Sequence, residues 1–574
     1  MKLEVLRGDD AHRALKDRGF QLNWSTLHQR CAWSTVFQNV GFVTAWYRSY
    51  REVYEPIIVA GVEGNGSLSG LFLLARERQT GALVHAGAQH AEYQTWIARP
   101  DRSGFISDAL DALKPVAGGA TLQLRYVPSI LPLEPLTSSP NWGWRTVDWL
   151  QERGMADLST PDGISTLVES SRYRYRMRRI ASLGPVNFRV VTTRQELEPW
   201  LEQLIAFCDV RMGAINGAFP FYGDPYKREF HLAMLDAPNV LHTTLLTAGN
   251  NLISAQINFL DRRTISLGLI SHSPMQGKIS PGTLHLLLLA RQAAAEGFET
   301  IDLTPGGEYK ERFASFADPT RVVSIQFSAT QAVRAQVRRF AAEQAKTRIR
   351  EMGLKPAAVK KEWLARIERV RSIVGRPATA NGGRQRETPD AVSIFRVPTP
   401  FQNAGTTETP RPRLVDLRID EVGDLLLPSP SGESPLTRRA ELRAALARFE
   451  RGGQLITRVE DGRVTNLAWL TRGPGKAHLG PEFADYELSA NTMLIHDAIT
   501  SAEAERFVED VMAYARDRGP KHELFLAARP TDRIVRGASA IGAEIVATVA
   551  PQIRTETSAE QGSAEGAIEQ ASSS

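Results

Sequence analysis

A helix that is apolar on every side cannot lie at a protein surface, and this chain carries one at residues 284–295, LHLLLLARQAAA. Such a segment has to be buried rather than amphipathic. Pro281 and Gly282 punctuate the loop before it, and Ser280 stands where an N-cap is expected. Glu296 and Gly297 end it, and Thr300-Ile301-Asp302-Leu303 reads as a short strand. A polar turn follows: Thr304-Pro305-Gly306-Gly307-Glu308-Tyr309-Lys310.

A helix start behind a small-residue loop offers unpaired N–H groups and a positive dipole end to an anion. The same pattern also serves as a plain connection between strand and helix, and the pattern alone leaves both open. The run SPGTLHLLLLARQAAAEGFETIDLTPGGEYKERFA resembles the acetyltransferases named after the cellulose-biosynthesis protein CelD, a branch of the GNAT superfamily. In that family a Ser-Pro-Gly helix start precedes a strand and a Gly-acidic-x-Tyr-Lys turn, and Tyr309-Lys310 keeps the final pair.

Composition sets the frame. The chain of 574 residues is too long for one core, which predicts about three to four domains. Hydrophobic and charged fractions of 42% and 23% are those of an ordinary globular protein. No apolar run approaches roughly 18 residues, so no membrane span is expected. Cys31 and Cys208 form no disulfide framework, and with no signal-peptide pattern at the start they point to a reducing, cytoplasmic setting. The net charge of +5 is local: residues 333–376 carry 13 Lys or Arg against 4 Glu, which leaves the rest of the chain net negative.

Taken in order, residues 1–19 are polar and carry no signal. Phe42, Trp46 and Tyr50 form an aromatic helix face, strands and turns follow, and an α+β unit closes near residue 157. Its segment Gly87-Ala88-Gln89-His90-Ala91-Glu92-Tyr93 also fits the CelD-type pattern, so His90, Glu92 and Tyr93 can line a cleft toward the next unit; a satisfied strand end is the competing reading. Five arginines interleaved with Tyr173 and Tyr175 read as a connecting helix with both tyrosines docked, rather than as a nucleic-acid patch. From Val186 the order strand, helix, helix, three antiparallel strands, helix, strand is that of a GNAT fold. Domains are therefore expected at 20–157 (GNAT-like), 158–330 (GNAT-like, with the cofactor site), 331–376 (basic helices broken near Gly353 and Pro356), 377–430 (linker), 431–550 (GNAT-like) and 551–574 (disordered tail). The fold class is α+β, with mixed and mainly antiparallel sheets flanked by helices.

The third GNAT-like unit departs from the family pattern. Where that pattern places small residues for the pyrophosphate, this chain has Ser501-Ala502-Glu503-Ala504-Glu505-Arg506, with no glycine and two carboxylates. A degenerate domain that has lost its cofactor is expected there.

What the resemblance implies is acyl transfer with acetyl-CoA or another acyl-CoA as donor. Its phosphates would rest near Ser280, Gly282 and Thr283, with Glu308 as general base, Asp302 as the alternative base, and Tyr309 as proton donor to the thiolate. Lys310 and Arg312 would bind an anionic acceptor or a cofactor phosphate, with Tyr93 and Glu92 facing the acceptor. His285 reads as a satisfied core histidine. No metal is expected, since the eleven histidines form no HExxH and the two cysteines lack zinc-site spacing; GxGxxG and GxxxxGK[ST] phosphate loops are also absent. The implied acceptor is a small molecule or glycan precursor, with polysaccharide-synthesis machinery as partner and no nucleic acid. Two rivals stand beside this: a FemAB-like transferase using aminoacyl-tRNA, and a non-catalytic scaffold.

Overall fold

The computed structural model describes residues 1–159, 170–306, 310, 312–351, 391–398, 416–428, 435–480, 483–500, 503–529, 532, 535 and 543–551. The first sheet holds β1 (Lys2–Arg7), β2 (Tyr54–Val62), β3 (Leu68–Glu77) and β4 (Leu83–His85) in that order, with β5 (Ile97–Ala98) also on β3. Helices α1 (Gly8–Lys16), α2 (Arg18–Arg30), α3 (Val40–Ser49) and α4 (Phe105–Ala117) pack on it. The first 19 residues thus do carry structure. Val5 pairs with Val59 at the sheet edge, and Ala11 and Leu15 of α1 are buried. Their apolar residues are too few to announce this in sequence. Strands β4 and β5 each pair with β3.

The second sheet belongs to two units at once. Its order is β6 (Thr121–Pro128), β13 (Phe316–Gln326), β7 (Thr146–Asp157), β12 (Thr300–Asp302), β11 (Thr264–His272), β10 (Asn251–Asp261), β9 (Leu241–Ala248) and β8 (Val186–Val191). Strand β13 comes late in the chain yet inserts between β6 and β7, antiparallel to both. A boundary at residue 157/158 therefore does not separate two sheets: β7 pairs with β12 through Asp157↔Thr300, and the ladder runs on unbroken. Helices α5 (Ser171–Ala181), α6 (Arg194–Asn216), α7 (Lys227–Leu235) and α8 (Pro281–Ala295) complete this part. In α8, Leu284, Leu289, Ala290 and Ala293 have no exposed surface, as an all-round apolar helix requires. His285 is satisfied there between Ser254 Oγ (2.6 Å) and Thr244 Oγ1 (2.8 Å), and burial lowers its pKa to about 3. On α5, Tyr173 packs on the core, but Tyr175 is exposed rather than docked.

After α9 (Ala329–Glu351), the third sheet runs β15 (Arg418–Ile419), β16 (Gln454–Glu460), β17 (Arg463–Arg472), β20 (Thr492–Thr500), β21 (Glu523–Ala528), β14 (Val392–Arg396) and β22 (Glu544–Val549), with β18 (Gly475–Ala477) and β19 (Tyr486–Leu488) as a separate pair. The stretch expected to be a linker supplies β14, seated between β21 and β22 with Ile394 fully buried. Its short apolar run VSIF is flanked by polar sequence, which hides it from a periodicity reading. The break near Gly353 and Pro356 and the tail 552–574 lie outside the described residues.

Helix α10 (Pro435–Glu450) joins the second and third units through one apolar core. Leu442 and Phe449 pack with Leu204, Cys208 and Val210 of α6 and with Leu455 and Trp469 of the third sheet. The Phe449 and Trp469 rings meet edge to face at 4.9 Å. Phe449→Ala is expected to cost about 3–5 kcal/mol. Because its neighbours come from both units, urea unfolding followed by fluorescence should show both destabilised together; loss confined to the third unit would contradict a shared core.

Candidate functional site

Strands β11 and β12 run parallel, with Thr264↔Thr300, Ile265↔Ile301 and Ser266↔Asp302 in register. β12 stops at Asp302 while β11 continues to His272, so the two part company beyond this point. Helix α8 starts beside the gap. Ser280 precedes it in the left-handed region (φ 49°), and its side chain makes no capping bond, contrary to the expected N-cap. The amides of Gly282 and Thr283 fall among the first-turn donors that lack an intrahelical acceptor, and no acidic residue lies in that turn. Arg312 donates to Thr283 Oγ1 (3.2 Å), which brings its guanidinium to the same helix end. These groups suit a phosphate: orphan amides, a positive dipole end and a cation.

The floor of the gap is a buried ionic network. Asp302 has no exposed surface and accepts from four donors: Tyr93 Oη (2.5 Å), Arg153 Nη1 (2.8 Å), Ser266 Oγ (3.3 Å) and the Thr304 amide (2.8 Å). Arg153 binds Asp318 on β13 with its remaining edge (2.8 and 2.6 Å) and lies 4.7 Å over the Tyr93 ring. Expected as an alternative base, Asp302 is instead committed to four donors inside the core, and this makes it a structural centre. Tyr93, expected to face the acceptor, spends its hydroxyl on Asp302 and is itself buried. Neither Arg153 nor Asp318 was singled out in the sequence. Each is an isolated charge on a strand, with only the topology to bring them together.

Above this floor lie Glu92 and Lys310, both half-buried. Burial raises the Glu92 carboxyl, against the pull of Arg125 and Lys310; burial lowers the Lys310 ammonium, against Glu92 and Asp302. Lys310 Nζ donates to Thr304 Oγ1 (2.8 Å), and Thr304 is a β-branched residue at φ 58°. A β-branched side chain held in that region marks a conformation imposed by its surroundings. Glu308 and Tyr309 lie outside the described residues. His90 is drawn elsewhere: its Nε2 sits 2.9 Å from Tyr50 Oη and 3.2 Å from Asp224 Oδ2, tying the first unit to the second.

Residues 169–312 match the family model described as an acetyltransferase (GNAT) domain. This stretch is a GNAT-type acetyltransferase domain. Similar solved structures include FemX (10% identity, 55% of this chain and 98% of that one, TM-score 0.40). A tandem GNAT protein from the clavulanic acid biosynthesis pathway is 12% identical over 57% of this chain and 99% of its own, at TM-score 0.36. The structure of L-PGS from Bacillus licheniformis is 11% identical over 53% and 90%, also at 0.36. Likeness at this level carries nothing about activity. No curated protein matches the chain. Among the described residues no group of three His, Cys, Asp or Glu gathers to hold a metal, and no helix is long and apolar enough to cross a membrane.

In the third unit β20 and β21 repeat the parallel pairing, and the Asp497 carboxylate beside their gap is held by Arg448 (2.8 Å) and His496 Nδ1 (2.8 Å). A cavity of about 490 Å³ lies there, lined by Leu442, Ala445, Trp469 and Ile499. Glu503 precedes α11 (Ala504–Arg518), so the first turn opens on acidic residues where the acetyltransferase unit has none.

Two outcomes follow from the buried network. Arg153→Met strands the Asp302 charge and is expected to cost about 3–5 kcal/mol, read by chemical denaturation. Asp261, raised by burial to about 7, bears its unfolded-state pKa near 3.9. Its stability contribution is thus complete in acid and lost as pH climbs from about 4 through 7. Asp261→Asn should remove that decline, so its Tm advantage over the parent chain grows from pH 4 to pH 8; an equal difference at both would contradict the assignment.

Proposed function

We propose that the second unit transfers an acyl group from acyl-CoA to a nucleophile on a glycan or envelope-precursor acceptor. The observation that carries this reading is the α8 start supplied with Arg312 beside the β11–β12 gap, with half-buried Glu92 and Lys310 within electrostatic reach of each other and of Asp302. The glycan part rests on the resemblance of the Gly306-to-Lys310 turn to the CelD-type family.

In this reading Gly282, Thr283 and Arg312 hold the phosphates of acyl-CoA, which supplies the thioester when bound. Ser280 sets the left-handed entry into α8. A Cβ at Gly282 would lie 3.3 Å from His272 Cδ2, so larger side chains there would crowd the helix entrance. Glu92, whose carboxyl is raised by burial, is suited to take a proton from an acceptor amine or hydroxyl. Glu308 keeps the same proposed role from its place in the turn, and Tyr309 that of proton donor. Lys310, held beside Thr304, offers a cation to an acceptor oxygen. The Asp302 network contributes rigidity, fixing Tyr93 and with it the backbone that presents Glu92.

Calorimetric titration of acetyl-CoA into the full chain tests the donor. Binding that weakens roughly tenfold in Arg312→Ala supports the helix-start site; no binding by the parent chain sinks the CoA reading in favour of an aminoacyl-tRNA donor or a scaffold. For catalysis, Glu92→Gln should lower kcat by about a hundredfold with little change in KM. An elevated carboxyl must ionise before it can act, so activity should rise with pH along a limb above the ordinary carboxylate range. That limb should vanish in Glu92→Gln, and its persistence would move the role to Glu308.

A further inference from the structure

We propose that α9 docks the protein onto an anionic lipid surface. The assignment stands on the helix's own surface and is independent of the acyl-transfer reading. Val333, Val337 and Phe340 are 56%, 61% and 65% exposed. They recur at spacings of four and three, which places them along one face of the helix. The helix is held to the body of the protein along the edge beside this ridge: Ala332 is fully buried, and Gln336 Nε2 donates to the carbonyls of Trp144 (3.0 Å) and Thr146 (3.2 Å). Val333, Val337 and Phe340 therefore stay exposed on a helix already fastened to the protein along the neighbouring edge.

One flank is cationic: Arg334 and Arg338 follow Val333 and Val337 directly, while Arg339 is paired with Asp148 and Glu343. At the helix base Trp144 is 43% exposed, with the Arg145 guanidinium 4.4 Å over its ring. An apolar ridge with an arginine flank and a neighbouring exposed tryptophan is the composition of a helix that lies in a membrane interface.

Charge complementarity selects this occupant from its rivals. A polyanion such as RNA would satisfy the arginines and leave Val333, Val337 and Phe340 in water. A second copy would bring the same positive flanks against each other. The following segment, 352–376, carries Lys355, Lys360, Lys361, Arg366, Arg369, Arg371 and Arg376 against Glu362 and Glu368, a net positive charge that is repelled by the arginines of the helix it would cover. An anionic bilayer answers both features, taking the ridge into its acyl boundary and the arginines against its headgroups.

The test is co-sedimentation of the full chain with phosphatidylcholine vesicles, with and without phosphatidylglycerol. Binding is expected only to the anionic vesicles and should weaken with added salt. Val337→Glu with Phe340→Glu should reduce it roughly tenfold or more. Arg334→Gln with Arg338→Gln should also weaken it, several-fold. All four residues lie away from the acyl-transfer site, and the three whose exposure matters here are open to solvent, so unchanged thermal unfolding will show that each variant folds. Three results would overturn the proposal: no vesicle binding by the parent chain, binding unaffected by the Val337 and Phe340 changes, or tight binding of a polyuridylate probe that ignores those changes. A dimer in solution that the same two changes dissociate would assign the ridge to a second copy instead.

Discussion

The carboxylate of Asp302 is the point on which two thirds of the molecule closes. Its four donors come from four places: the loop after β4, strand β7, strand β11, and the turn that follows β12. A buried charge is tolerable only when its partners are fixed, so each of these elements is constrained by the same ion. Arg153 then carries the constraint one strand further, to Asp318 on β13. That strand closes the first unit's half of the sheet from the far end of the second unit. The site above Asp302 thus inherits a floor that neither unit can build alone, and Glu92 reaches the gap from the first unit because Tyr93 beside it is anchored in the second.

Much of the second unit was legible because its signals are local. A helix apolar all round, a short β-branched strand and a glycine-rich turn declare themselves within one stretch, and α8, β12 and the left-handed Gly306 follow from it. His285 was legible for the same reason, since a histidine on a buried helix needs partners and finds Ser254 and Thr244. What escaped was non-local. β13 reads as an ordinary strand, and nothing within it says that it inserts between β6 and β7. Asp302 stands out beside the family turn and Tyr93 in the Gly87-to-Tyr93 segment, yet neither stretch shows that the two are bonded to each other in the core, or that Arg153, some 150 positions before Asp302, joins them. β14 was lost in polar surroundings, although the third sheet needs its hydrogen bonds on both edges.

The third unit repeats the parallel strand pairing of the second, with Glu503 and Glu505 at the start of the helix that follows. Its attachment runs through one helix. Helix α10 packs on α6 and on the 3-10 turn Pro274–Ile279, the segment that leads straight into Ser280 and α8. At the contact, a Cβ added to Gly277 would lie 2.9 Å from Glu450 Cγ, so the last turn of α10 rests directly against that loop. Leu442, Ala445 and Arg448 of the same helix also line the third unit's own cavity. Helix α10 therefore touches both the turn that enters the acetyltransferase helix and a cavity of about 490 Å³. A close-packed interface absorbs little displacement, and the contact of α10 with residues 274–279 sets the packing of the third unit directly against the turn that opens α8.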